Sequence, residues 1–194
     1  MPALRWADLG DDKHGFSLIN ESKYGYDCRG NVLRLSLLRS AIWPDPNADK
    51  GRHQFSYALY PHGGDWKAAL TVRHGYEYNY KLQAMQVESH GGRLPASHSF
   101  VQVEPENLVL TALKKAEDGD GLILRFYEWA GKKTDAQIEV PAGATSATST
   151  NLMEKPEGPA LQITESNRIS VPVTPYSINT IRIDYGAVTA RSMN

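Results

Sequence analysis

Residues 107–129 read NLVLTALKKAEDGDGLILRFYEW. Two apolar runs flank the segment EDGDG, Glu117–Gly121, whose residues tolerate positive φ. That pattern predicts a β-hairpin. The first run, Asn107–Leu113, is apolar on both faces, which predicts a central strand buried on both sides. In the second, Gly121–Trp129, Leu122, Leu124 and Phe126 share one face, and Ile123, Tyr127 and Trp129 share the other. A sheet apolar on both faces needs two covers: a partner sheet, and a neighbouring domain or subunit.

The same period of two extends outward from this hairpin. Upstream, Leu33, Leu35 and Leu37 fall on one face of Asn31–Arg39, with Val32, Arg34 and Ser36 on the other. Gly15–Asn20 and His53–Tyr60 alternate in the same way. Downstream candidates are Ser99–Val103, Ala136–Val140, Ala144–Leu152, Ala160–Thr164, Arg168–Val173 and Ser177–Tyr185. In the last of these, Ile181, Ile183 and Tyr185 face inward. Between residues 65 and 80 the spacing of Trp66, Ala69, Leu70 and Arg73 predicts a short helical segment, which Gly75 weakens. The Gly, Ser and Pro of ESHGGRLPAS, Glu88–Ser97, mark a domain boundary. The expected architecture is all-β: one antiparallel β-sandwich portion over residues 1–90, a smaller β-sandwich over 91–187, and a tail over 188–194.

The 194-residue chain is long enough for a core without cross-links, and its one cysteine, Cys28, excludes an internal disulfide. A formal net charge of −1 gives no reason to expect nucleic acid or a membrane surface as a partner. No apolar run approaches the ~20 residues that span a bilayer. The first residues, MPALRWADLG, hold no signal-peptide core, so the expectation is either a cytoplasmic location or a start that is not the natural start of the gene product.

Motifs with chemistry are scarce. The six histidines lie in no H-E-x-x-H or H-x-D pattern, and there is no phosphate-binding glycine loop or nucleophile elbow. Arg39 continues the parity of Leu33, Leu35 and Leu37. A charge there must pair, with Asp27 or Asp45, or open into a ligand cleft. Tyr24, Tyr26, Trp43 and Trp66 lie in polar segments around the same strand. They serve either as packing or as an aromatic platform for sugar rings.

The stretch NESKYGYDCRGNVLRLSLLRSAIWPDP (20–46), continuing through HQFSYALYPHGGDW, resembles the C-terminal region of α-mannosidases of glycoside hydrolase family 38. VEPENLVLTALKKAEDGDGLILRFYEW, TNLMEKPEG and PYSINTIRIDY extend the resemblance over nearly the whole chain. It implies the end of a large galactose-mutarotase-like supersandwich followed by a small terminal sandwich. It also implies a catalytic α/β domain that is not in this sequence and that carries zinc and an Asp nucleophile. The catalytic domain and an α-mannoside would then be the partners, with no metal or catalytic residue in this chain.

The resemblance further implies that these β-domains pack on the catalytic domain and send residues toward its sugar site. The candidates for that support are Lys23, Tyr24, Tyr26, Asp27 and Arg39, with Trp43 and Trp66 as the aromatic platform. Two other readings stand beside it. One is a freestanding carbohydrate-binding module; the other is a structural domain that makes a homo-oligomer.

Overall fold

The computed structural model describes residues 1–186. The expected tail over 188–194 therefore lies outside the described residues. Contacts divide the chain between Ser89 and His90 into two units.

In the first unit, β1 (Trp6–Gly10), β2 (His14–Asn20) and β5 (Tyr57–Gly63) form an antiparallel sheet in the order β1-β2-β5. β3 (Gly25–Arg29) and β4 (Val32–Ser36) form a separate hairpin. Helix α1 (Thr71–Asn79) completes the unit. Strand alternation gives the sheet two different faces. On one, Ser17 and Ile19 are buried in the region where α1 packs on β2 and β1 and buries Thr71 and Val72. On the other, Ala7 and Leu18 pack against Tyr26, Leu33 and Leu35 of the hairpin. The helix is shorter than the expected 65–80 segment, because residues 66–70 are turn and Leu70 has φ 52°.

Gly75, the weak point of the helical pattern, has a packing reason. A Cβ there would lie 2.7 Å from Cδ1 of Trp6, so only glycine lets the helix approach β1. Ala at an exposed helical glycine gains up to about 1 kcal/mol. Gly75→Ala is expected to do the reverse and lower stability by about 1–3 kcal/mol through overpacking. Thermal melting of the variant checks the sign.

Residues 81–100 form no strand or helix, and all are exposed. The second unit follows, with β6 (Gln102–Glu104), β7 (Leu108–Lys115), β8 (Leu122–Glu128), β9 (Thr134–Glu139), β10 (Ala144–Thr150), β11 (Pro156–Leu161), β12 (Arg168–Val173) and β13 (Ile178–Tyr185). A five-stranded sheet, β11-β10-β13-β8-β7, faces a three-stranded one, β12-β9-β6. Every pairing is antiparallel. Leu124, Phe126, Ile181 and Ile183 from the first sheet meet Ala136, Ile138, Ile169 and Val171 from the second in one core. This is the antiparallel β-sandwich that the alternation predicts.

Two expectations about the 107–129 hairpin need correction. The hairpin forms, but β7 is an edge strand rather than a central one, and its Leu113 is 49% exposed. The outer face of β8 also has less need of a second cover than its composition suggests. Ile123 is completely buried there, with Lys114 and Arg182 as its register partners on the flanking strands. Both partners are long side chains held in ion pairs, Lys114 with Glu117 and Glu154 and Arg182 with Asp184.

Candidate functional site

The end of β2 runs into the loop Asn20–Tyr24, and this loop is held from several sides. The Asn20 side-chain amide donates to the Tyr26 hydroxyl at 2.6 Å, and that hydroxyl donates to the Leu18 carbonyl at 3.1 Å. The Asn79 amide at the end of α1 donates to the Asn20 carbonyl at 3.0 Å. The Ala3 N–H donates to the Tyr24 carbonyl at 2.9 Å. With its backbone fixed, the loop lines two clefts, Tyr24 in one and Glu21 and Ser22 in the other.

The smaller cleft, about 220 Å³, is lined by Leu4, Arg5, Tyr24, Asn79 and Tyr80. The Arg5 guanidinium lies 4.3 Å from the ring centre of Tyr76 and donates to the Tyr80 hydroxyl at 3.3 Å. The rings of Tyr76 and Tyr80 stack at 5.7 Å. The larger cleft, about 570 Å³, is lined by Glu21, Ser22, Gln54, Phe55, Ser56 and Lys81. Ser56 donates to one Glu21 oxygen, and Lys81 pairs with the other at 3.2 Å. The Ser56 hydroxyl, and then the Lys81 ammonium, hold the Glu21 carboxyl below its ordinary pKa. Lys23 reaches over Phe55, 5.2 Å from the ring centre.

A second polar cluster lies buried beneath the sheet. Ser17 Oγ donates to Asp8 Oδ2 at 2.6 Å and lies 3.0 Å from Thr71 Oγ1. His62 Nε2 is 2.7 Å from the same Asp8 oxygen, and its Nδ1 is 3.1 Å from the Gly64 carbonyl. The residue types are those of a serine hydrolase triad, but the geometry is not. A triad sets Asp and Ser on opposite ring nitrogens, whereas here Asp8 and Ser17 both lie on the Nε2 side. Ser17 is also fully buried, so no substrate reaches it. The cluster ties β1, β2, β5 and α1 together.

The residues expected to support a sugar site separate into groups. Tyr24 lines the smaller cleft, and Lys23 lies over Phe55 beside the larger one. Tyr26 is core, 3% exposed, so it presents no ring to a ligand. Asp27 bridges the hairpin by pairing with Arg34 at 3.2 Å and, more distantly, with Arg29. Arg39 is exposed beyond the end of β4 and makes no ion pair with a described residue. Trp43 is 83% exposed in the segment after β4, while Trp66 packs on Trp6 with ring centres 5.3 Å apart. Buried Tyr26 therefore leaves the aromatic platform, while half-buried Trp66 keeps part of its surface open beside Trp6. Arg5, Glu21, Phe55, Tyr80 and Lys81 line the clefts without any motif to announce them. Among the described residues, no group of three or more His, Cys, Asp or Glu is gathered in one place.

Comparison with known proteins supplies the family. "Glycosyl hydrolases family 38 C-terminal domain" matches residues 1–47, and "Glycosyl hydrolases family 38 C-terminal beta sandwich domain" matches residues 107–181. The chain belongs to the C-terminal β-domain region of glycoside hydrolase family 38. Within that family it is similar to Alpha-mannosidase 2C1 of Homo sapiens, at 36% identity over 181 residues, 91% of this chain and 17% of that protein. It is also similar to Alpha-mannosidase of Saccharomyces cerevisiae, at 28% identity over 92% of this chain and 18% of that protein. The chain thus spans under a fifth of the length of these family 38 relatives. A crystal structure of an alpha-mannosidase from Enterococcus faecalis V583 shares the fold, with a TM-score of 0.76 and 22% identity over 95% of this chain and 21% of that one. The two family 38 segments leave residues 48–106 between them. Gln54, Phe55, Ser56, Asn79, Tyr80 and Lys81, which form the far walls of both clefts, all lie in that interval.

Proposed function

We propose that this chain is the non-catalytic β cover of a family 38 α-mannosidase. The rest of the enzyme would hold the zinc and the bond-breaking carboxylates and would hydrolyse terminal α-mannosides with retention of configuration. The observation that carries this reading is an apolar strip on the first unit's sheet. Phe16, Leu18, Tyr57 and Leu59 share a face by register. The hairpin covers Leu18, but Phe16 is 38%, Tyr57 48% and Leu59 60% exposed. Nearby in sequence, Ile42 and Trp43 are more than 80% exposed. Apolar surface of this kind marks a contact with another body. Because the chain spans so little of its relatives' length, the remainder of such an enzyme is the partner that suits it.

The experiment is reconstitution. A family 38 α-mannosidase deprived of its own C-terminal β domains is co-expressed with this chain and assayed on a chromogenic α-mannoside. Activity is expected only when both parts are present. Leu59→Asp, which sets a charge in the strip without touching the core, is expected to lower the restored activity at least about tenfold, which corresponds to about 1.4 kcal/mol of association energy. Turnover by the isolated chain, or reconstitution indifferent to Leu59→Asp, overturns the proposal.

A further inference from the structure

We infer that the second unit carries its own interaction surface, at one end of the outer face of its five-stranded sheet. It docks there on an apolar protein surface rimmed by carboxylates. The identity of that partner as the remainder of a family 38 α-mannosidase rests on the proposed function. The chain is then held at two places, one on each unit.

The two outer faces of the sandwich differ. The three-stranded sheet turns Glu104, Asp135, Gln137, Glu139, Arg168 and Ser170 away from the core, so its outer face is polar. On the five-stranded sheet the register sets Val109, Tyr127 and Ile178 side by side across β7, β8 and β13. They lie on the face opposite Phe126 and Ile181, which are core. Ile178 is 64% exposed. An apolar row on one outer face and none on the other marks a contact surface.

Two fixed segments extend the row. Tyr176 is exposed, yet its backbone is held at φ 57°, which is rare for a bulky residue. Its N–H donates to Glu128 at 3.0 Å, and its ring lies against Gly131, where a Cβ would come 2.5 Å from the Tyr176 hydroxyl. The loop after β10 is clamped as well. The Leu152 carbonyl accepts from Arg125 at 3.0 Å, and Arg125 shares the outer face with Tyr127. Asn151 Oδ1 accepts from the Met153 and Lys155 N–H groups at 2.9 and 3.1 Å. Glu154 pairs with Lys114 at 2.7 Å. The clamped loop leaves Leu152 exposed and Met153 77% exposed. Aromatic residues and Met are enriched at the centres of interfaces, and side chains fixed beforehand lose little entropy on docking.

Charge and chain length select the occupant. Lys132 and Lys133, both exposed, follow the glycine beneath Tyr176 and call for carboxylates opposite them. A two-fold contact between copies centred on Tyr176 would set these lysines against their own counterparts, so a second copy suits the surface less well. The chain covers 17% of Alpha-mannosidase 2C1 of Homo sapiens, so most of such a protein lies outside it. A partner of that size can engage both units, and the second contact then forms within the complex at high effective concentration.

The test uses the 194-residue chain and the same mannosidase deprived of its own C-terminal β domains, with association read by surface plasmon resonance. Ile178→Asp and Met153→Asp place charges on exposed side chains outside the core, so melting of the isolated chain is expected to stay unchanged. Each is expected to weaken association about tenfold. Combined with Leu59→Asp on the other unit, the factors are expected to multiply. A complex weakened by Leu59→Asp but indifferent to both second-unit variants overturns this inference and leaves the proposed function standing. One weakened by the second-unit variants alone keeps this surface and removes the first unit's strip. No association overturns both. Dimerisation of the isolated chain that Ile178→Asp abolishes also overturns the inference, because a second copy is then the occupant.

Discussion

Glu128→Ala is expected to destabilise the second unit by about 3 kcal/mol or more, enough to shift its denaturation midpoint visibly. The Glu128 carboxylate is 1% exposed at the end of β8 and is ringed by donors. Oε1 accepts from the Asn107 side-chain amide and the Ala130 N–H, both at 2.8 Å. Oε2 accepts from the Gly131 N–H at 2.7 Å and the Tyr176 N–H at 3.0 Å. Removing it leaves several buried donors without an acceptor, and each costs about 1–3 kcal/mol. The carboxylate thereby fixes three separate segments: the start of β7, the turn after β8 and the turn before β13.

The same group makes the unit acid-sensitive. Burial raises the Glu128 pKa, but the hydrogen bonds from Tyr176, Asn107 and Ala130 outweigh it, and the net shift is downward from the ordinary 4.5. A depressed native pKa contributes stability above the unfolded value. That contribution is lost as the pH falls through the native one. Urea denaturation followed by Trp129 fluorescence should show a midpoint that falls from pH 5 downward. Glu128→Gln, which cannot accept at both ends of its amide, should be less stable than the parent at neutral pH and lose this acid dependence.

Asp8→Ala is the second large effect, expected to cost the first unit about 3 kcal/mol. His62 and Ser17 both bond to Asp8 Oδ2, and the side chains of Asp8 and His62 are 8% and 2% exposed. Without Asp8 the buried Ser17 and His62 lose their shared acceptor, and each buried group left unsatisfied costs about 1–3 kcal/mol. Trp6 and Trp66, packed against each other in the same unit, report the transition by fluorescence. An unchanged midpoint would mean that Thr71 and Gly64 suffice to hold Ser17 and His62.

The sequence reading succeeded where burial was one-sided. In β12, Ile169, Val171 and Val173 are buried while Arg168, Ser170 and Pro172 are exposed, and the boundaries agree with the alternation. It failed where a strand is short and its buried residues are few. β1 and β3 have five residues each, and within them Ala7 and Tyr26 alone are fully buried, too little period to detect. A charge ending a core-facing row must be partnered, and the residue of which this holds is Glu128 rather than Arg39. Glu128 continues the row of Leu122, Leu124 and Phe126 to the last residue of β8. The row through Leu33 and Leu35 loses its meaning because β4 stops at Ser36. The Asp8 cluster was invisible for another reason: its bonded pairs stand up to 54 residues apart on different elements, and no local pattern joins them. The clefts share that property, since Glu21 and Lys81 are 60 residues apart.

The edge position of β7 has a bearing on colloidal behaviour. An eight-residue border strand with open backbone groups invites another polypeptide to extend the sheet. Here the ladder to β8 slips between Leu110 and Ala112, and the strand ends in Lys114 and Lys115. The irregularity spoils the flat template, and the paired lysines would confront their own counterparts in any parallel self-addition. The border that the hairpin leaves open is thus guarded against fibril growth by its own sequence.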